Sequence, residues 1–228
     1  MVRATHWLTL IAFLALFITG SLIVISHPRF YWGEVGNVNT KPLFVIPIPA
    51  SRDTVPTGYK YEMPDENGWS RALHFEAAWV AVLVGMVYGI YGLWSGHFRK
   101  DLIPARCDWN LRAFRDRMAK YLRRAPPDPA EERSYNVLQR TAYVVVIFVL
   151  FPLMIWTGLA MSPTFTAAFP LTAALLGGRQ SARTIHFLVT WLLVLFLFVH
   201  VAMVAMSGFR NRMRAMITGY NRDREESR

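Results

Sequence analysis

Four long apolar segments, separated by polar or charged links, constrain the fold of this chain more than any other feature. They cover roughly residues 7–26, 72–95, 141–162 and 184–207. A helix of about 20 residues, rising about 1.5 Å per residue, spans the hydrocarbon core of a bilayer. The sequence therefore predicts a single all-α membrane domain over residues 1–228, built as a bundle of four transmembrane helices.

The lysines and arginines of the chain concentrate in three regions outside the apolar segments. The N-terminus, the 96–140 link and the 208–228 tail hold 18 of the 25. Cytoplasmic parts of membrane proteins carry such an excess, so both termini and the 96–140 loop are predicted to be cytoplasmic and the 27–70 loop periplasmic. The net charge of +10 thus follows topology, and we expect no nucleic-acid partner.

The fourth apolar segment contains two histidines, His186 and His200, fourteen positions apart. At about 100° per residue, fourteen steps bring a helix back to within roughly 40° of its starting direction, about 21 Å further along the axis. The two imidazoles are therefore predicted to lie on one helix face at two depths. Because imidazole is an axial ligand of haem, this spacing indicates two haems stacked through the bilayer.

Each haem then needs a second imidazole at a matching depth on another helix. By depth, His74 on the second segment pairs with His186, and His6 on the first pairs with His200. His97, at the far end of the second segment, is the alternative to His6. Intramembrane histidines can also simply form hydrogen bonds across helices, but polar groups at such depth are costly and commonly functional.

Three of these histidines share a local pattern, an arginine three positions before the histidine. The pairs are Arg3 and His6, Arg71 and His74, and Arg183 and His186. Residues three apart share a helix face, so each guanidinium is predicted to reach the propionates of the haem that its histidine ligates. The alternative is that these arginines only flank the membrane spans.

Cysteine usage limits the kind of cofactor. The single cysteine, Cys107, excludes a disulfide framework and a cysteine-ligated iron–sulfur cluster. The sequence lacks the C-x-x-C-H motif of covalently attached haem, so we expect two b-type haems. Gly20 and Gly85 are candidates for positions where a macrocycle lies against backbone, with helix packing as the alternative, and Pro152 is predicted to kink the third span.

These features resemble the di-haem, four-helix membrane cytochrome b superfamily. That superfamily includes bacterial cytochrome b561, the b-type subunit of nickel–iron hydrogenases and the gamma subunit of formate dehydrogenase. The similar stretches are "THW" in the first span, "RALHFEAAW" in the second and the histidine pair of the fourth. The stretches "HPRFYWGEVGN" and "YNVLQRTAY" look most like thiosulfate-reductase-type cytochrome b subunits.

The resemblance implies a subunit of the bacterial inner membrane that transfers electrons between the quinone pool and a periplasmic, often molybdenum-containing, oxidoreductase. In formate dehydrogenase gamma subunits an asparagine in an N-x-G-Q setting binds quinone. Asn136 and Gln139 match that setting here, whereas Leu138 replaces its glycine. Capping of the third helix is the alternative role of Asn136 and Gln139.

The predicted periplasmic loop contains aromatic residues that we expect to be exposed, of the kind that anchor protein interfaces. They are Phe30, Tyr31, Trp32, Tyr59 and Tyr61. We expect the partner enzyme to dock over the 27–70 loop, near the 163–183 link, and to exchange electrons with the His74–His186 haem. The second haem would then exchange electrons with quinone.

Two other functions are open alternatives. One is a free-standing cytochrome b561 enzyme that passes electrons from a small reductant such as superoxide to quinone; the large 27–70 loop argues against it, because such an enzyme needs no docking surface. The other is a non-redox membrane scaffold or transporter, which would bind no haem. The sequence is compatible with an oligomer as well as a monomer.

Overall fold

The structure, a computed structural model, describes residues 1–37, 39–47, 66–103, 115, 119, 137–206 and 209–219. Four of the helices in these residues are long and apolar enough to cross a membrane: Val2–Ser26, Gly68–Trp94, Gln139–Met161 and Arg179–Ala205. The predicted all-α fold with four spans is confirmed. The predicted docking residues Tyr59 and Tyr61, and Asn136, lie outside the described part of the chain.

The elements follow one another in a simple order. They are α1 (Val2–Ser26), β1 (Arg29–Phe30), β2 (Phe44–Val45), α2 (Glu66–Trp94), α3 (Val137–Val145), α4 (Phe151–Met161), α5 (Pro163–Ala168), α6 (Leu171–Ala174), α7 (Arg179–Met206) and α8 (Phe209–Thr218). The turns Phe98–Leu102 and Val146–Leu150 are π-helical.

Helices α1, α2 and α7 begin several residues before the apolar segments that predicted them. The extra turns include Arg3, Arg71 and Arg183, respectively. A helix can continue beyond the hydrocarbon region because its long cationic side chains reach water or headgroups. The hydropathy pattern therefore marked where the apolar part of each helix lies rather than where its hydrogen bonding begins.

The third span combines α3 and α4 through the π-helical turn Val146–Leu150. Phe151 donates its amide to the carbonyl of Val146, five residues earlier. The next residue is Pro152, which has no amide hydrogen and whose ring conflicts with the carbonyl four residues before it. A wider turn directly before the proline relieves this conflict, so the irregularity predicted at Pro152 takes the form of a π-helical turn.

The chain divides into two compact units. The first, called the His74 unit, consists of Val2–Tyr88 and Pro152–Trp191, and the second, called the His200 unit, consists of Met1, Gly89–Phe151 and Leu192–Arg228. Each unit is described below by itself.

In the His74 unit, the hairpin of β1 and β2 packs on α7. Its strands are antiparallel, with Phe30 opposite Phe44. The Phe30 ring is 1% exposed and lies 4.8 Å from the ring of Phe44 and 4.5 Å from that of Phe187 on α7, between ring centroids. Phe30 is buried and the rings of Phe44 and Phe187 are half-buried, so apolar burial holds the hairpin against the helix. The expectation that Phe30 and Tyr31 are exposed interface residues is wrong, because Tyr31 is also only 3% exposed.

In the His200 unit, the chain turns back at the end of α2. Gly96 has a φ of 69°, and the π-helical turn that follows brings the Phe98 ring over Gly92. The Phe98 ring also meets that of Phe148 edge to face, with the centroids 5.0 Å apart. A side chain at Gly92 would overlap the Phe98 ring and displace it from this position.

Candidate haem site

His74 on α2 and His186 on α7 lie close together in the His74 unit. Their ring centroids are 6.4 Å apart and their planes are inclined at 60°. An iron atom that binds one nitrogen of each imidazole at about 2 Å would hold the two centroids roughly 6 Å apart. The observed separation therefore suits two imidazoles that would hold one haem iron between them.

Each of these imidazoles is hydrogen-bonded through Nδ1 to a threonine hydroxyl. The Oγ1 atom of Thr19, on α1, is 2.9 Å from Nδ1 of His74, and Oγ1 of Thr157, on α4, is 2.8 Å from Nδ1 of His186. Thr19 is 1% exposed and Thr157 is completely buried. The hydroxyl ends of both hydrogen bonds are therefore shielded from water, and a shielded hydrogen bond is stronger than one on the surface.

The threonine hydroxyls decide which ring nitrogen carries the proton. Thr19 donates its single hydroxyl hydrogen to the carbonyl of Ala15 at 2.7 Å, and Thr157 donates to the carbonyl of Leu153 at 2.8 Å. Each hydroxyl must then accept the hydrogen bond from Nδ1–H of its imidazole. This arrangement leaves the lone pair on Nε2, which is the tautomer that a metal ligand requires.

A glycine follows each threonine and leaves space for the imidazole. A Cβ atom at Gly20 would lie 3.3 Å from Cε1 of His74, and one at Gly158 would lie 3.7 Å from Cε1 of His186. Helices α1 and α4 thus share a Thr-Gly pair, whereas α2 and α7 share the Arg-x-x-His pattern. The site thus contains two similar halves, in each of which a Thr-Gly pair on one helix contacts the histidine of an Arg-x-x-His pattern on another.

The arginine before His186 is engaged with the chain segment that follows α1. Arg183 donates to the carbonyls of His27 and Arg29, the latter at 3.1 Å, and its Cζ lies 4.7 Å from the centroid of the Phe30 ring. Arg183 therefore fastens this segment to α7. The propionate contacts predicted for Arg183, and for the exposed Arg3 and Arg71, stay predictions.

The N-terminal turn of α7 is capped by residues that follow β1. The Glu34 carboxylate accepts from the amide of Arg179 at 2.9 Å and from its Nε at 2.5 Å. The Gly33 carbonyl accepts from the amides of Gln180 at 3.0 Å and Ser181 at 3.2 Å. These partners satisfy amides that a helix N-terminus leaves without an intrahelical acceptor, so the start of the helix that carries His186 is held in place.

Two ionisable groups of this region have shifted pKa values. The hydrogen bonds from the backbone and side chain of Arg179 lower the pKa of Glu34, as expected for a carboxylate at a helix N-terminus. Burial, followed by the nearby charges of Arg183 and Arg71, lowers the pKa of His27 below its ordinary value of 6.5. His27 is therefore neutral at pH 7.

An open groove of about 410 Å³ adjoins the Glu34–Arg179 ion pair. Besides these two residues, its lining comes from α5, α6 and the turn between them, and includes Pro163, Thr166 and Pro170. Neither His74 nor His186 lines the groove. It is therefore a surface feature beside the capped end of α7 and not the cofactor site itself.

In the His200 unit, His200 lies against two aromatic residues. The Tyr143 hydroxyl, on α3, is 3.4 Å from Nδ1 of His200. Phe196, one turn earlier on α7, lies nearly parallel to the imidazole, with the centroids 5.7 Å apart and the planes 22° apart. Tyr143 thus takes the place that the threonines take at the other two imidazoles, although its hydrogen bond is longer and weaker.

His6 and His97 are the two candidate partners of His200. His6 belongs to the other unit, where its ring meets that of Trp7 edge to face. His97 belongs to the His200 unit, where its ring centroid is 6.3 Å from that of Tyr91. The pairing with His6, and the alternative pairing with His97, both stay predictions.

The predicted quinone site is described in part. Gln139 is half-buried in the first turns of α3, whereas Asn136 lies outside the described residues. Their binding of quinone therefore stays a prediction.

Sequence reasoning missed Thr19, Thr157 and Tyr143. A signal for the two threonines was present, because a Thr-Gly dipeptide recurs in "FITGSL" of the first span and "IWTGLA" of the third. A hydroxyl inside an apolar helix often bonds to a neighbouring helix. Tyr143 gave a weaker signal, since tyrosines are common near the ends of membrane spans for other reasons.

Comparisons with known proteins show the family of the chain. The family model for prokaryotic cytochrome b561 matches residues 1–219. The chain belongs to the prokaryotic cytochrome b561 family. A relative from Azospira oryzae, described as "Putative protein-methionine-sulfoxide reductase subunit YedZ1", is 29% identical over 223 residues, which cover 96% of this chain and 93% of the relative.

This cytochrome is thus a multi-pass membrane protein that binds b-type haem and mediates electron transfer. The two imidazoles with free Nε2 lone pairs fit that group. Within the described residues, no three His, Cys, Asp or Glu side chains gather to hold a bare metal ion. Two protein ligands are sufficient for an iron whose other four ligands belong to a macrocycle.

Proposed function

We propose that this cytochrome is the haem-carrying membrane subunit of an oxidoreductase of the bacterial inner membrane. It would transfer electrons between the quinone pool and a partner enzyme on the periplasmic side. The observation that carries the proposal is the His74–His186 pair, whose ring centroids lie 6.4 Å apart and whose threonine partners leave Nε2 of each ring able to ligate a metal. His200 would hold a second b-type haem, with His6 as its partner or, alternatively, His97.

When bound, haem supplies reversible one-electron chemistry. The chain supplies the rest. His74 and His186 would provide the nitrogens that hold the haem, Thr19 and Thr157 would keep these rings in the ligand tautomer, and the apolar spans would exclude water. Asn136 and Gln139 would donate hydrogen bonds to a quinone carbonyl near the His200 haem.

The name of the relative supports a particular kind of partner. That protein is described as a subunit of a protein-methionine-sulfoxide reductase. We extend this to the present chain, so that its partner reduces oxidised methionine side chains of periplasmic proteins. Each sulfoxide takes up two electrons and two protons to give methionine and water, and one quinol releases two electrons and two protons on oxidation, so electrons would run from quinol to the partner. The molybdenum content implied by the resemblance would belong to that partner.

The segment between α1 and β2 would form the docking surface together with the adjoining groove. Trp32, Val35 and Leu43 are 60%, 66% and 61% exposed, although the backbone around them is fastened to α7. Apolar side chains that an ordered segment presents to solvent indicate a protein interface. A partner bound there would contact the same segment that caps the helix of His186.

The proposal is tested by the haem content and electron transfer of the purified protein. After expression with ample haem, we expect two low-spin b-type haems per chain, both reducible by a quinol. A periplasmic reductase should co-purify in a fixed ratio and should reoxidise the reduced cytochrome when given a peptide that contains methionine sulfoxide.

Four results would count against the proposal. A ratio near one haem per chain, or a high-spin five-coordinate signal, would contradict the two ligand pairs. Reduction by superoxide and onward transfer to quinone without any partner would favour the free-standing enzyme. The absence of any b-type spectrum would favour a scaffold or transporter.

A further inference from the structure

We propose that Thr19 and Thr157 are positioning residues that set the reduction potential of the haem held by His74 and His186. The inference rests on the proposed ligation of one haem by these two histidines. It concerns a property of that haem, its readiness to accept an electron, which ligation alone does not determine.

The hydrogen bond at Nδ1 controls how much electron density an imidazole gives to iron. A histidine whose N–H donates to a carboxylate gains basicity, and such partners are common around metal ligands. In this structure the side-chain acceptors are neutral hydroxyls, at 2.9 Å from His74 and 2.8 Å from His186. The backbone carbonyls of Leu16 and Met154, which also interact with these two rings, are neutral as well. A neutral acceptor fixes the tautomer and the ring orientation while donating less density than a carboxylate would.

The same kind of hydrogen bond reaches both histidines, from threonines on two different helices. Thr19 belongs to α1 and Thr157 to α4, and each hydroxyl is oriented by its own bond to a backbone carbonyl four residues earlier. Both side chains are buried, so water cannot replace either acceptor. Since both hydrogen bonds would bear on one iron, their effects on its potential should add.

A simpler explanation of these threonines is their backbone bond alone. Threonine inside a membrane helix commonly donates to the carbonyl four residues earlier, whatever lies nearby. Thr190 on α7 shows this behaviour, since its hydroxyl donates to the backbone carbonyl of His186 at 2.8 Å. Thr190 therefore provides a matched control: it has the same side chain and the same backbone bond, and its hydroxyl bonds to the main chain of His186 instead of its ring.

The experiment is a redox titration of the haem-loaded protein in detergent, followed optically for each haem. The variants are T19V, T157V and the double variant, with T19S and T157S as conservative variants and T190V as control. Valine keeps the shape of threonine but cannot accept a hydrogen bond. Less density then reaches the iron, so we expect the reduced state to be favoured by up to about tenfold per substitution, which is about 59 mV for one electron.

The expected pattern is specific. The midpoint potential of one haem rises in T19V and T157V and rises further in the double variant, while the other haem is unchanged. T19S, T157S and T190V keep the wild-type potentials. The low-spin electron paramagnetic resonance signal of the same haem should shift in the valine variants, because ring orientation is no longer fixed.

Several results would overturn the inference. They are unchanged potentials in both valine variants, or an equal shift in T190V. If a valine variant loses the haem, the matching serine variant decides. Haem retained in the serine variant supports the positioning role, and haem lost in the serine variant refutes it. H74A and H186A distinguish failure of the proposed ligation from failure of this inference. If both variants keep this haem, the ligation is refuted. If both lose it and the valine variants show no shift in potential, only this inference is refuted.

Discussion

Gly178 packs directly against the backbone of Gly33, in the turn that precedes α7. A Cβ atom at Gly178 would lie 2.5 Å from the carbonyl carbon and oxygen of Gly33, and Gly178 has a φ of 110°. Glycine satisfies both constraints because it has no side chain and tolerates a positive φ. This approach allows the Gly33 carbonyl to accept the amides of Gln180 and Ser181 at the start of α7.

We expect Gly178→Ala to separate this segment from α7. The added methyl group would meet backbone atoms, which cannot rotate away as a side chain can, and the residue would keep an unfavourable φ. The loss should be on the order of 2 kcal/mol or more of unfolding free energy, measured as a lower thermal midpoint of the haem-loaded protein in detergent.

Gly177→Ala is the matched control for that variant. Gly177 also has a positive φ, 79°, but a Cβ there would come no closer than 3.4 Å, to the hydroxyl of Ser181. Its loss of stability should reflect the backbone conformation alone. If Gly178→Ala is no more destabilising than Gly177→Ala, the close approach to Gly33 contributes nothing measurable.

The ligand scheme predicts which haem each histidine variant removes. His74→Ala and His186→Ala should abolish the same haem, because their rings are placed for one iron. His6→Ala and His200→Ala should abolish the other one. Haem content and the optical spectrum of each purified variant give the result.

His97→Ala tests the alternative for the second haem. If this variant loses a haem and His6→Ala keeps both, then His97 and not His6 is the partner of His200. Loss of the haem in His6→Ala, with both haems kept in His97→Ala, confirms the assignment made from depth along the helices.

The sequence could predict the spans and the meeting of His74 with His186, because both depend on properties that run along a helix. Apolar length marks a span, and depth from its end ranks the histidines. It could not predict that Thr19 would meet His74, since this contact joins α1 to α2 and depends on how the helices are turned toward each other. The contacts of Arg183 could not be predicted for a similar reason. Its acceptors are backbone carbonyls of the segment after α1, whose sequence has no helical or strand periodicity.

Tyr143→Phe examines the hydrogen bond at the second haem. The Tyr143 hydroxyl lies 3.4 Å from Nδ1 of His200, longer than either threonine bond. We therefore expect a shift in the potential of the His200 haem that is smaller than about 59 mV, a tenfold change in equilibrium, and none in the His74–His186 haem. A redox titration in which the midpoint potential of the His74–His186 haem shifts instead would contradict this placement.

His27 is expected to make the stability of the protein depend on pH. Burial and the charges of Arg183 and Arg71 lower its pKa in the folded state below the ordinary value of 6.5. Between the two pKa values the unfolded chain binds more protons than the folded one, so the unfolding free energy rises with pH. The contribution of His27 should thus be complete above pH 6.5 and should diminish as the pH falls below that value, until the lower folded-state pKa is passed.

His27→Gln isolates this effect, because glutamine does not titrate. The bonds that fasten the main chain at this position are retained, since the residue donates its amide to Ile23 and Val24 and accepts from Arg183 through its carbonyl. Glu34 does not interfere, because its pKa is lowered from 4.5 and its contribution is lost only in more acidic solution. Thermal unfolding of both proteins should be followed from pH 8 to pH 5. At pH values below 6.5, the thermal midpoint of the wild type should decrease more steeply with falling pH than that of the variant. Parallel curves would mean that neither burial nor the charges of Arg183 and Arg71 lowers the pKa of His27 in the folded protein.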